Sequence, residues 1–265
     1  MSLTRGKKLE YYDKYTGIQV YRYTDMPISR YPRTFEGGKR MSIIELVKDL
    51  SENTTRDLDD VVVEVLRKAI IKGHFKSEEK IAPTEIAEIL QVSRMPVREA
   101  VQKLEAYGIV TVTGGRGSVV RGISAKEFSQ LCLVRKLLES KASFLAAENI
   151  SETGLKKVEE ILLNHEQAYK EGLKTEIPLL NYDFHCAIGE YSGNPFLKDI
   201  IEVLMILSTI FWNSRVTLPL LNRNNLSEHR EILQSLVSRN AEETSKKMEK
   251  HIAQSEETIV NSMVK

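Results

Sequence analysis

The chain of 265 residues has two cysteines, one tryptophan and seven prolines. Cys132 and Cys186 lack metal-type spacing and both fall in helical patterns. A disulfide scaffold is therefore excluded, and free thiols in a reducing compartment are expected. An excess of either charge is also missing: 38 basic and 37 acidic residues leave a net charge of +1. Nucleic-acid binding, if present, must come from a local patch rather than a global field. Long apolar runs are absent. The most apolar stretch, 200–212, contains Glu202 and is too short for a bilayer. The N-terminus lacks the apolar core of a signal peptide. A cytoplasmic protein with no membrane partner is the expectation. What is present is ordinary for a globular chain: 42% hydrophobic and 28% charged residues. The length suffices for one large or two modest domains.

Residues 1–40 stand apart. They hold Tyr11, Tyr12, Tyr15, Tyr21, Tyr23 and Tyr31 with Pro27, Pro32 and Gly37-Gly38, and show no sustained apolar period. They read as a loosely ordered extension or an upstream start-site artefact, with a basic arm touching DNA as the alternative. Met41 opens a clean helical pattern, and 42–52 read as a short helix.

Residues 57–71 form a helical pattern with Val61, Val62, Val65, Leu66 and Ile70 inward, ended by Gly73. A short helix follows over 84–90, then a tight turn at Gln91-Val92. The third helix begins in Val92-Ser93-Arg94-Met95-Pro96-Val97-Arg98-Glu99-Ala100 and stops at Gly108. Ser93 is an expected N-cap whose hydroxyl accepts a first-turn N–H. Pro96 falls in that first turn, where its missing N–H is tolerated. Arg94 and Arg98, four apart, project from one face near the helix start. Two guanidiniums there suit bidentate reading of guanine in the major groove. Taken alone, a surface helix with two solvated arginines is an equal reading. The surroundings decide between them. Residues 109–113 and 118–120 are β-rich runs around Gly114-Gly115-Arg116-Gly117, a hairpin that reads as the wing of a winged helix-turn-helix.

Residues 57–121 resemble the winged-helix domain of the GntR superfamily of bacterial transcription regulators. The resemblance is carried by 81–90, the Val92 to Ala100 motif, Leu104-Glu105, Gly108 and Gly115-Arg116-Gly117. It implies operator DNA contacts for Ser93, Arg94, Arg98, Gly115 and Arg116, with Thr84, Met95 and Pro96 beside them. Met95 stands where a threonine is usual in the family, and Thr84 where some members carry arginine. An operator preference related to the family's but not identical is expected.

From Ser124 the pattern is helix after helix. Ser124-Ala125-Lys126-Glu127 is a capping-box signature. Helices are expected to about 149, over 156–169, 176–191, 196–215 and 227–239, and from an Asn240 cap nearly to the end. No strand pattern follows Val120, and no internal repeat is seen. The fold class is mainly α: a winged helix over 41–121, with its short preceding helix, and an all-helical bundle over 122–265.

Polar residues interrupt the bundle's apolar stripes. Asn181 and His185, four apart, share a stripe with Ile177, Leu180, Phe184 and Ile188. His229 shares a face with Ile232, Leu233 and Leu236, and His251 with Met248, Ile252 and Ser255. His229 lies eleven residues before Asn240 and His251 eleven after it. Antiparallel helices joined there place both imidazoles at one height. Three converging imidazoles suit a divalent metal such as zinc or nickel. Three separately hydrogen-bonded core histidines are the alternative. His74 and His165 read as surface residues.

Residues 124–262 resemble the FCD ligand-binding domain found behind the winged helix in one GntR subfamily. Arg135…Glu139, Asn181-Tyr182-Asp183-Phe184-His185, Gly193-Asn194-Pro195, Glu228-His229-Arg230 and His251 carry the resemblance. It implies a metal held by three histidines and a carboxylate four residues before the first. Asn181 occupies that place here, and its amide oxygen is a weaker ligand. Arg135 lies on an apolar stripe and needs a partner. Either Glu139, one turn on, or a carboxylate effector supplies it. Ser208, Trp212 and Arg215 share an inward face and complete the effector-binding candidates, with a structural role for Trp212 equally open. Family effectors include small organic acids.

The sequence reads as a ligand-responsive transcription regulator. Repressor action and a homodimer on double-stranded operator DNA are expected, with no organic cofactor and no catalysis. A three-histidine metalloenzyme, and a DNA-binding dimer without an effector, are the rivals.

Overall fold

The computed structural model of the chain describes residues 10–12, 19–21, 43, 46, 58–90, 92–115, 117–215 and 223–263. Within the segment expected to be a loose extension, β1 (Glu10–Tyr12) and β2 (Gln19–Tyr21) pair antiparallel, with Glu10 opposite Tyr21. The other residues of 1–40 lie outside those described. Of the helix expected over 42–52, Ile43 and Leu46 are described. Both are helical and buried in the core of the domain that follows.

That domain is a winged helix. α1 (Leu58–Ile71) turns Val62, Val65, Leu66, Ala69 and Ile70 inward at the three-and-four spacing of one helix face. α2 (Pro83–Leu90) opens on a proline, which the first helical position tolerates. The Val92 N–H bonds the Ala87 carbonyl at 3.1 Å and closes the turn into α3 (Arg94–Ala106). The wing is β3 (Val110–Thr113) and β4 (Gly117–Val120), with Val110 opposite Val120 and Thr113 opposite Gly117. Gly115 and Gly117 take φ of 87° and 75° at the tip, a region glycine enters without strain.

The wing has an extra edge with no periodicity in the sequence to announce it. The Glu78 N–H bonds the Val120 carbonyl, the Val120 N–H the Glu79 carbonyl, and the Ile81 N–H the Ser118 carbonyl, each at 2.9 Å. The Ser118 hydroxyl donates to Glu105 at 2.6 Å, which ties β4 to α3.

Among the described residues six helices follow: α4 (Ala125–Asn149), α5 (Glu152–Glu171), α6 (Glu176–Tyr191), α7 (Pro195–Arg215), α8 (Arg223–Val237) and α9 (Ala241–Met263). α4 starts in the expected capping box: the Ser124 hydroxyl accepts the Glu127 N–H while Glu127 accepts the Ser124 N–H. Asn240 caps α9, its side-chain oxygen accepting the Glu243 N–H at 3.1 Å. α4 packs along α9, α8 pairs with α9, and α6 touches α4, α5 and α7. Phe128, Phe184, Phe211, Ile232, Met248 and Ile252 form the centre of this bundle. No helix among the described residues is long and apolar enough to cross a membrane.

A second core runs across the boundary between the two domains. Leu66 and Ile70 of α1 belong to one buried cluster with Tyr182 of α6 and Ile201, Met205, Ile206 and Ile210 of α7. Polar ties flank it. Arg67 donates to the Tyr182 hydroxyl at 2.6 Å and to Glu202 at 2.7 Å, and Lys72 donates to Glu176 at 2.8 Å. The Asn213 amide donates to the Ile71 carbonyl at 2.8 Å, satisfying a C-terminal group that α1 leaves open. The wide apolar face of α1 thus serves two packings.

Candidate nucleic-acid interface and metal centre

α3 is two-faced. Pro96, Val97, Ala100, Val101 and Leu104 are buried, while Ser93, Arg94, Met95 and Arg98 are exposed. The two arginines leave the fold together at the helix start, as their spacing requires. Met95 is 57% exposed beside them, a thioether on the reading face. Pro96 belongs to the inner face and supports the helix from behind.

Ser93 is the N-cap, with φ −65° and ψ 163°, but its hydroxyl makes no cap hydrogen bond. The expected bond fails for a local reason. A capping side chain accepts from the second or third helical N–H, and the third helical residue here is Pro96, which has none. The hydroxyl is left on the exposed edge beside Arg94. Thr84 is half-buried as the second residue of α2, and Gly115 is exposed at the wing tip with nothing near the position of a Cβ. Arg116 lies outside the described residues.

The second site lies in the bundle. His185 of α6, His229 of α8 and His251 of α9 are all buried, and one ring nitrogen from each lies within 4.8 Å of the others. Nε2 of His251 stands 3.3 Å from Nε2 of His185 and 3.2 Å from Nε2 of His229. The matched heights about Asn240 are therefore realised. Phe184 stacks on His229 with ring centroids 4.0 Å apart.

Two carboxylates fix the outer side. Nδ1 of His185 meets Glu139 at 2.6 Å, and Nδ1 of His251 meets Glu228 at 2.6 Å. Burial opposes ionisation of Glu139, but the Arg135 guanidinium and His185 outweigh it and hold the carboxyl at about 2. The ionised Glu139 accepts only, so the proton of a neutral His185 is on Nδ1 and its Nε2 lone pair faces the centre. Burial, against the pull of Glu139, keeps His185 at about 4. His229 is pushed well below the ordinary imidazole value by burial and by its neighbours His251 and His185.

This donor set fits a divalent cation. Tetrahedral ligands about 2.0–2.1 Å from an ion stand roughly 3.3–3.4 Å apart, close to the two Nε2 separations. Carboxylates on the far nitrogens are the usual means of orienting metal-binding imidazoles. Asn181 is half-buried one turn before His185 on α6.

Arg135 is buried, and its Nε donates to Glu139 at 2.6 Å. Of its two candidate partners, it meets the protein's own carboxylate. Ser208 is buried with a hydroxyl that has no hydrogen-bond partner among the described residues. Trp212 is half-buried against the bundle core. Arg215 ends α7, and its side chain lies outside the described residues. His165, expected at the surface, is 3% exposed. It follows Val158, Ile161 and Leu162 by seven, four and three residues, so its helix carries it inward. His74 is half-buried.

Sequence reasoning missed two orienting roles. Glu139 was paired only with Arg135, although its place four residues on puts it on the same inner face. Glu228 adjoins His229 in sequence but serves His251 on the next helix, a crossing that periodicity does not reveal.

Comparison with known proteins agrees with this division. Residues 58–120 match the model "Bacterial regulatory proteins, gntR family", and residues 130–254 match the FCD domain. The chain is 32% identical over 178 residues to the uncharacterized HTH-type transcriptional regulator YdhC of Bacillus subtilis (strain 168), covering 67% of this chain and 80% of that one. It is 30% identical over 149 residues to the Nta operon transcriptional regulator of Aminobacter aminovorans, covering 55% and 70%. The solved structure of E. coli McbR/YncC shares the fold, with a TM-score of 0.71 at 23% identity over 79% of this chain and all of that one.

Proposed function

Because the chain belongs to the GntR family of bacterial regulatory proteins and carries an FCD domain, we propose that this transcription regulator is a repressor answering to a small organic acid bound in its helical bundle. Family and relatives make it a DNA-binding regulator and not an enzyme. One observation carries the effector reading: Nε2 of the buried His251 stands 3.2–3.3 Å from those of the buried His229 and His185, and two of the three rings are held by carboxylates. A structural core has no need of such a convergence.

In this reading His185, His229 and His251, with Asn181 beside them, hold a divalent metal such as zinc or nickel. When bound, the metal supplies a Lewis-acidic anchor for a carboxylate. Ser208 has a hydroxyl to offer a ligand, with Trp212 and Arg215 on the same helix face. Arg135 acts through Glu139, keeping that carboxylate ionised and His185 in one tautomer.

The DNA end uses Arg94 and Arg98 for base edges, and Ser93, Gly115 and Arg116 for the backbone, with Thr84 and Met95 bordering them. A homodimer places two such helices on a palindrome. Leu133, Val134 and Leu137 expose an apolar stripe on α4 that suits pairing of two copies. Chromosomal DNA puts the site of action in the cytoplasm. An effector with different affinity for two arrangements of the dimer, by a few kcal/mol, is enough to regulate it.

Metal analysis of the purified chain, beside a variant with His185, His229 and His251 all changed to alanine, tests the reading. About one metal per chain in the wild type alone is expected, together with release of operator DNA by an organic acid only in the wild type. Equal metal content in both proteins and identical DNA binding would leave a dimer without an effector.

A further inference from the structure

The three imidazoles are not held alike. His185 and His251 each have a carboxylate on Nδ1. His229 is fully buried, and its Nδ1 has no hydrogen-bond partner among the described residues. Its stack on Phe184, with planes 20° apart, fixes the ring plane. Stacking does not choose between the two ring edges, and a half-turn about the side chain exchanges them. Nε2 faces the two other imidazoles, and a hydrogen bond at Nδ1 is what holds that choice of edge and tautomer from the outer side.

The neighbouring ring is His165 of α5. Its centroid lies 5.7 Å from that of His229 with planes 43° apart, and its own Nδ1 also has no hydrogen-bond partner among the described residues. The pair is held in register from outside. Glu166 and Arg230, the next residue in each helix, form an ion pair between α5 and α8. His165 is not one of the three residues whose ligand atoms converge. Two buried ring nitrogens without partners, on adjacent rings, are the surroundings in which an ordered water is found.

We propose that His165 is a positioning residue for the three-histidine site, fixing the edge of His229 through one water shared by their Nδ1 atoms. The proposal rests on the metal reading above. It gives His229 the outer hydrogen-bond partner that carboxylates give the other two. His165 is the hydrogen-bonding partner of a ligand rather than a fourth ligand.

The test uses the full chain. Zn²⁺ affinity is measured by chelator competition, and the Co²⁺ absorption spectrum is recorded, for wild type, His165→Phe and His165→Gln. Phenylalanine keeps the ring and removes the nitrogen, whereas glutamine keeps polar atoms. A 10–100-fold loss of Zn²⁺ affinity is expected for His165→Phe, with most of it restored in His165→Gln. The Co²⁺ band at saturation should be unchanged. Wild-type affinity in His165→Phe, or equal losses in both variants, overturns the positioning role. A Co²⁺ spectrum altered as by loss of a nitrogen ligand overturns it in favour of direct ligation. If His165→Phe does not fold, imidazole nitrogen NMR of Zn²⁺-loaded wild type decides at His165, whose tautomer the metal does not set: one fixed tautomer there supports the proposal, and averaging refutes it. A wild type that binds Zn²⁺ no better than the triple alanine variant refutes the metal reading itself, and the proposal with it.

Discussion

Arg67, in the first helix of the winged domain, donates to the Tyr182 hydroxyl at 2.6 Å, across 115 positions of sequence. The same nitrogen reaches Glu202 at 2.7 Å. Tyr182 lies beside Asn181 and three residues before His185, so the contact joins the DNA-binding side to the helix that carries the first histidine of the cluster. Arg67→Ala should lower stability by about 1–3 kcal/mol, because it removes the guanidinium from two partly buried acceptors. Combined with Tyr182→Phe in a double-mutant cycle, a coupling of about 0.5–3 kcal/mol is expected from denaturant unfolding. Additive losses would show that the bond contributes nothing.

Glu139 serves two groups at once, Arg135 at 2.6 Å and His185 at 2.6 Å. Its removal leaves a buried guanidinium without a counter-charge. Glu139→Ala should therefore cost about 3–5 kcal/mol, far more than an exposed glutamate. Urea titration measures it. A loss under 1 kcal/mol would mean that Arg135 finds water or another partner.

Arg94 is exposed at the start of α3. Arg94→Ala should lose about 1–3 kcal/mol of operator affinity and relax one base position. The comparison is binding to the operator and to random duplexes. An equal loss on both would assign Arg94 to phosphate alone. Arg116→Ala should instead flatten the salt dependence of binding, and an unchanged slope would remove Arg116 from the backbone contacts.

Cys132 is buried, and desolvation raises its thiol to about 11. Burial likewise raises Cys186 well above the ordinary value. The thiolate is the reactive form, so both should resist alkylation near pH 8 and react only on unfolding. Labelling with a thiol reagent, with and without denaturant, checks this. Rapid labelling of either residue in the folded chain would contradict the burial.

Much of the fold was legible because helices write their faces into the sequence at three-and-four spacing. The meeting of His185, His229 and His251 follows from that rule, and the capping box at Ser124 and the cap at Asn240 follow from the side-chain oxygens that open first turns require. The failures have physical causes of their own. Ser93 makes no capping bond, and Pro96 at the third helical position has no N–H to give it. His165, read as a surface residue among Asn164, Glu166 and Gln167, shares its buried face with Ile161 and Leu162. The edge pairing of 78–81 is too short to show alternation. The partners of Glu228 and Arg67 depend on how helices cross, which no single helix encodes. For Arg135 the sequence held both answers, and only packing could choose Glu139.

The buried cluster that unites Leu66 and Ile70 with Ile201, Met205 and Ile206 has a thermodynamic consequence. Domains joined by a bare linker melt one after the other. Here, loss of either unit uncovers the apolar side of its neighbour, so the two should melt together. Heating should give one calorimetric transition, and a fragment confined to residues 58–120 should be markedly less stable than the same residues in the full chain.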